Sequence, residues 1–153
     1  MKRSNPQFLS PEKYIRTRAR NLAIGTCYIN ENWKEAGEAF IVVTRRHTNG
    51  NLTIGFYLVD IFALGVKDTG YKFNQSPAEV NEFFQRFTLQ HEEANYLLVH
   101  NIIYGAIEFA EEYGHTPHKD FHVTRFILEE DDERVPLVDI EFGRDGEPFY
   151  IMT

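Results

Sequence analysis

Asp60 closes the apolar run Phe56-Tyr57-Leu58-Val59. A carboxylate on an apolar face is costly unless it is paired, hydrogen-bonded or left at the mouth of a sheet. One reading makes Asp60 an acid, a base or a metal ligand at a strand end. The other, which we prefer, makes it a cap for the loop 61–67 or the partner of Lys67, because structural pairing also perturbs carboxylates. His100, Tyr104 and Glu108 follow at i, i+4 and i+8, one line along a helix. Such a line can present a proton-transfer group beside an orienting carboxylate. It also describes an amphipathic boundary, where rings are buried and polar tips stay wet, and this is the preferred reading.

The stretch His115-Thr116-Pro117-His118-Lys119-Asp120-Phe121-His122 holds three histidines and an aspartate. Imidazole and carboxylate suit zinc or another divalent ion, which makes His118 and Asp120 the candidate metal ligands. Pro117 makes the piece a turn, and an exposed turn is the simpler reading. An enzyme built from this material is a small hydrolase or nuclease that gathers Asp60, Asp68, His100 and His118 around one cleft, with or without a divalent metal. Convergence of these distant residues is what that reading requires. Asp139-Ile140-Glu141 looks like a nuclease carboxylate pair, but Val138, Ile140 and Phe142 alternate with the acids as in a strand with one wet face. The sequence has no glycine-rich phosphate loop, no GxSxG and no HExxH, so no cofactor is expected. Cys27 sits in an apolar strand pattern, where a small buried thiol is expected.

The elements that must position these residues read as α+β. A helix is expected over 10–20, with Ser10 as cap and Pro11 first, and Tyr14, Ile15 and Ala19 on its apolar stripe. A strand is expected over 22–29. A hairpin spans 40–60 with Asn49-Gly50 as a two-residue turn, which sets Val43 opposite Phe56 and Ile41 opposite Leu58. That register places Ile41, Val43, Ile54, Phe56 and Leu58 on one face. Ser76-Pro77-Ala78-Glu79 is a capping box, followed by Val80, Phe83, Phe84 and Phe87 at the spacing of one helical face. A long helix is expected over 93–113, stopped by Gly114, with apolar residues over more than half its circumference. Strands are expected over 121–128 and 137–142, the latter pairing with 149–152 around Arg144-Asp145-Gly146. Helix, strands, helices and strands in this order give a mixed or antiparallel sheet built from hairpins, with the long apolar helix packed on it.

At 153 residues with 42% hydrophobic and 14% aromatic composition, the chain suffices for one ordinary core. The division expected is a basic N-terminal helical segment over 1–20 and a single domain over 21–153. The net charge of −7 argues against general attraction to a phosphate backbone. Only Arg16, Arg18 and Arg20, with Arg45-Arg46, offer basic contacts. One cysteine excludes an intramolecular disulfide, and no apolar run approaches a membrane span. The basic start lacks the apolar stretch of a secretory signal, so a cytoplasmic location is expected.

The blocks Cys27-Tyr28-Ile29-Asn30, Tyr57-Leu58-Val59-Asp60 with Leu64-Gly65-Val66-Lys67-Asp68, His100-Asn101-Ile102-Ile103-Tyr104-Gly105 and Pro117-His118-Lys119-Asp120-Phe121 resemble a family of uncharacterised bacterial proteins that carry them in this order. The resemblance spans about 21–151. It implies a bacterial cytoplasmic origin and brings no activity, cofactor or catalytic residue with it. Without a complete catalytic motif, the leading expectation is a non-catalytic module that binds another protein through a sheet edge or its basic helix.

Overall fold

The computed structural model describes residues 9–86 and 90–151. Helix α1 (Pro11–Arg18) is capped by Ser10, whose Oγ accepts the Lys13 amide at 3.2 Å. It tightens into a 3₁₀ turn at Ala19–Asn21 and buries Ile15 and Ala19. Strand β1 (Ala23–Asn30) leads through the short helix α2 (Trp33–Ala36) into β2 (Glu38–Arg46). β3 (Leu52–Asp60), β4 (Gly65–Gln75) and α3 (Pro77–Gln85) follow, then β5 (His91–Ala94), α4 (Tyr96–Glu112) and α5 (Phe121–Thr124), the last running into a 3₁₀ turn at Arg125–Ile127. The five strands form one antiparallel sheet in the order β4-β3-β2-β1-β5. The α+β class expected from the sequence is the class observed, and the sheet is antiparallel.

The β2–β3 hairpin lies where Asn49-Gly50 places it, but its register differs by one residue. His47 donates its amide to Asn51 O at 2.8 Å, Gly50 donates to His47 O at 3.0 Å, and Gly50 has φ +89°. This is a three-residue loop with glycine at its left-handed position, a close competitor of the two-residue turn for the same dipeptide. Val43 therefore faces Gly55, and Ile41 faces Tyr57. A slip of one residue turns over every side chain of β3. Ala39, Ile41, Val43, Tyr57 and Val59 share the face under α4 and join the main core. Phe56 instead lies on the other face, half-buried between Phe40 (6.4 Å) and Phe83 (6.3 Å). The capping box of α3 is present, with Ser76 and Glu79 bonding reciprocally. Phe87, expected on the same helical face, lies outside the described residues.

Helix α4 begins later than expected. Asn95 caps it by accepting the Leu98 amide at 2.8 Å, because residues 91–94 are taken as an edge strand paired with β1. It ends at Gly114, φ +87°, and lies across β1, β3 and β4.

The C-terminal third departs most from expectation. Residues 121–124 are helical. The turn at 144–147 forms, with Asp145 and Gly146 at φ +54° and +78° and amides exchanged between Arg144 and Glu147 at 2.8 and 3.0 Å. Beyond it the arms do not pair among the described residues, Met152 lying outside them, and 129–151 is a strap without helix or strand. The strap runs along α4 from first turn to last. Tyr96 and His100 hold 129–131, Asn101 holds Pro136 O, Gly105 and Phe109 receive Phe142, and Tyr113 reaches Gly146 O. This explains the wide apolar arc of α4, which has the sheet on one side and the strap on the other. Among the described residues no helix is long and apolar enough to cross a membrane.

Candidate functional site

Asp60, Asp68, His100 and His118 are each engaged separately. Asp60 is 3% exposed, and its Oδ1 accepts the amides of Phe62 (2.9 Å) and Ala63 (3.2 Å). It caps the turn after β3. Lys67 is not its partner, since Lys67 Nζ sits 2.7 Å from Glu38 Oε2. Asp68 is exposed and accepts the Thr69 amide.

His100 is buried, with Nδ1 2.7 Å from Tyr96 Oη and Nε2 3.0 Å from Asp131 Oδ1. Tyr96 Oη already accepts the Glu129 amide at 2.7 Å, so its own proton goes to Nδ1 and the imidazole N–H at Nε2 goes to Asp131. The shape is that of a proton relay, but burial pushes the Tyr96 phenol well above its usual range. Both its donor and its acceptor roles are filled within the protein. The relay fastens the acidic run onto α4. Tyr104 packs on the His100 ring at 4.8 Å, and Glu108 is exposed.

His118 Nδ1 accepts the Asp120 amide at 3.1 Å, while the His118 amide donates to Val66 O at 2.9 Å. His115 is bonded to the Tyr150 hydroxyl, and His122 Nδ1 faces Lys119 O. Among the described residues no group of three His, Cys, Asp or Glu side chains is arranged to hold a metal ion. Among the described residues Asp60, Asp68, His100 and His118 share no hydrogen-bond partner. None of them lines the cleft described below.

The basic residues divide. Arg16 and Arg18 are exposed. Arg20 is held by Leu128 O (2.9 Å) and Arg125 O (3.3 Å) and lies over the Phe126 ring. Arg45 is buried, donating to Ile127 O and Leu22 O and pairing with Glu129 at 3.2 Å. Cys27 is 2% exposed, and burial raises its thiol to about 11.

What the fold does assemble is a cleft of about 730 Å³ between α2, the turn after β3, β5 and the strap. Its apolar lining is Trp33, Ile61, Phe62, Leu98, Val138 and Ile140. Gly37 ends α2 at φ +73°, and the Phe62 ring occupies the place of its missing side chain, 2.1 Å from where a Cβ would stand. Asp60 fixes the turn that carries Phe62. Strap amides at Gly143 and Phe149 bond Ile61 O and Phe62 O, both at 2.9 Å.

The charges around the cleft are not balanced. Lys34 Nζ lies over the Trp33 ring at 5.4 Å, and the Arg144 guanidinium lies over Phe62 and Phe149 at 5.1 and 4.0 Å. Glu35, Glu92, Asp139 and Glu141 make no ion pair and no side-chain hydrogen bond among the described residues. Among the described residues no Ser, Thr, Tyr, Cys or His lines the cleft. The arrangement suits recognition of a cationic, partly apolar group.

Comparison with protein-family models, with curated proteins and with solved structures finds no match to this chain.

Proposed function

We propose that this protein is a non-catalytic docking module whose cleft receives a cationic, partly apolar segment of a partner protein. The observation that carries the reading is the pairing of an aromatic and aliphatic lining with four carboxylates that have no partner among the described residues. Apolar lining supplies affinity, and complementary charge supplies selectivity and encounter rate. The hydrolase or nuclease reading depended on Asp60, Asp68, His100 and His118 meeting, and each is occupied elsewhere, which leaves it without support of this kind. Arg16 and Arg18 are exposed and within reach of an acidic or nucleic-acid contact, but they line none of the aromatic-walled cleft. The single buried thiol fits a cytoplasmic setting, and the sequence blocks fit a bacterial one.

Trp33 is the only tryptophan of the chain and lines the cleft, so intrinsic fluorescence reads the site directly. Titration with short peptides rich in lysine and aromatic or aliphatic residues is expected to shift or quench Trp33 emission saturably. Peptides with glutamate in place of lysine are expected not to. Absence of any response to the cationic set would dismiss the docking site.

A further inference from the structure

Residues 137–142 form one wall of the cleft and have an unusual backbone. They belong to no helix and to no strand of the sheet, and their exposure alternates with the period of a strand, Leu137, Asp139 and Glu141 being exposed and Val138, Ile140 and Phe142 half-buried. None of the six makes a main-chain hydrogen bond to any described residue. The two ends are nevertheless anchored. Pro136 O accepts from Asn101 Nδ2 at 3.0 Å, and the Gly143 amide donates to Ile61 O at 2.9 Å. This segment has the alternation of a strand, is fastened at both ends and has no main-chain partner among the described residues.

We infer that the partner segment enters as an added β-strand, pairing its main chain with residues 137–142 while its side chains fill the cleft; the inference rests on the docking reading above. Strand addition uses main-chain hydrogen bonds for affinity and alternate side chains for selectivity. A wall anchored at both ends is pre-organised, so little order is lost on binding. The occupant that fits alternates basic and apolar residues. Its apolar side chains go to Trp33 and Phe62, and its basic side chains come within reach of Asp139 and Glu141. A second copy of this chain fits poorly. Two such strands paired antiparallel about Ile140 set Asp139 opposite Glu141 twice, and like charges directly opposite are destabilising.

The test uses the whole protein, Trp33 fluorescence and a capped peptide alternating lysine with valine or phenylalanine. It is compared with a scrambled peptide of the same composition and with two versions N-methylated at either the odd or the even amides. Because each edge of a strand carries alternate amides, one methylated version is expected to lose about tenfold or more in affinity and the other to keep it within about twofold. Equal binding of both methylated versions, or of the scrambled peptide, overturns strand addition and leaves the docking site standing. Failure of every cationic peptide overturns both. A dimer in sedimentation velocity that the peptide dissociates would place a second copy on the strand and overturn the choice of occupant.

Discussion

Phe142 of the strap fills the space that a side chain on Gly105 of α4 would need: a methyl group there would stand 2.4 Å from its Cζ. Glycine inside a helix costs about 1 kcal/mol relative to alanine, and here it makes the room that the Phe142 ring takes up. Gly105→Ala is expected to stiffen α4 and dislodge the strap. The net stability should fall by about 1–3 kcal/mol through overpacking, and cleavage within 133–142 by a protease should accelerate. Denaturant midpoints and limited proteolysis measure both. A variant more stable than the parent, with an equally protected strap, would show that Phe142 is free to move aside.

Asp60→Ala removes the acceptor of two buried amides, those of Phe62 and Ala63. A buried donor left unsatisfied costs about 1–3 kcal/mol, so the variant should lose about that much or more. Asp60→Asn keeps one acceptor oxygen and should lose less. Both should also alter Trp33 emission, because the turn they loosen carries Phe62 into the same cleft. A clear gain of stability on either change would contradict a capping role.

His47 gives the fold a pH dependence of known sign. Burial lowers its pKa below the usual 6.5, and Thr53 Oγ1, which accepts the Asn74 amide at 3.0 Å, is left with its proton to donate to His47 Nε2 at 2.7 Å. The folded state therefore favours the neutral ring. Its contribution is complete above pH 6.5 and is lost as pH falls through the lower folded value. His47→Gln keeps an acceptor without titrating, so the denaturant midpoint of that variant should fall less steeply than the parent's between about pH 6.5 and 5. Parallel curves would remove His47 from the account.

Cys27 should behave as an inert thiol. With the pKa raised to about 11 and the side chain 2% exposed, almost no thiolate exists at neutral pH. Reaction with a disulfide reagent in the native state is expected to follow the opening of the fold, and to rise to the rate of a free thiol in denaturant. Rapid labelling of the native protein would show an opening at β1.

Much of this fold is legible in the sequence where local chemistry is decisive. Ser10 with Pro11 and Ser76 with Glu79 mark helix starts, and Gly114 marks a stop, because caps depend on a few neighbouring residues. Asn49-Gly50 locates the hairpin but does not set its register, since two- and three-residue loops both welcome it and differ by one residue of slip. The strand His91–Ala94 carries no apolar alternation, and only its pairing with β1 makes it a strand. Residues 121–124 read as strand because four residues cannot show a helical period. Asp60 and His100 drew notice as polar groups beside apolar ones and His118 as one of a histidine cluster; Asp60 caps a turn, His100 fastens Asp131 to α4 and His118 accepts the Asp120 amide. The cleft was hidden for a different reason. Trp33, Phe62, Leu98 and Ile140 come from four distant segments, and only the alternation around Asp139 and Glu141 signalled one of its walls.

The path of the strap also sets an order of assembly. Strands β1, β2 and β3 each pair with the next strand in the chain, so the sheet from β1 to β4 can close while synthesis continues. Phe142 follows the end of α4 by 30 residues, and at roughly 5–20 residues per second that stretch takes roughly 1.5–6 s to be made. For that interval the flank of α4 bearing Gly105 and Phe109 has no cover. A nascent chain of this protein offers a chaperone a brief aromatic helix face, which disappears when Phe142 comes to rest.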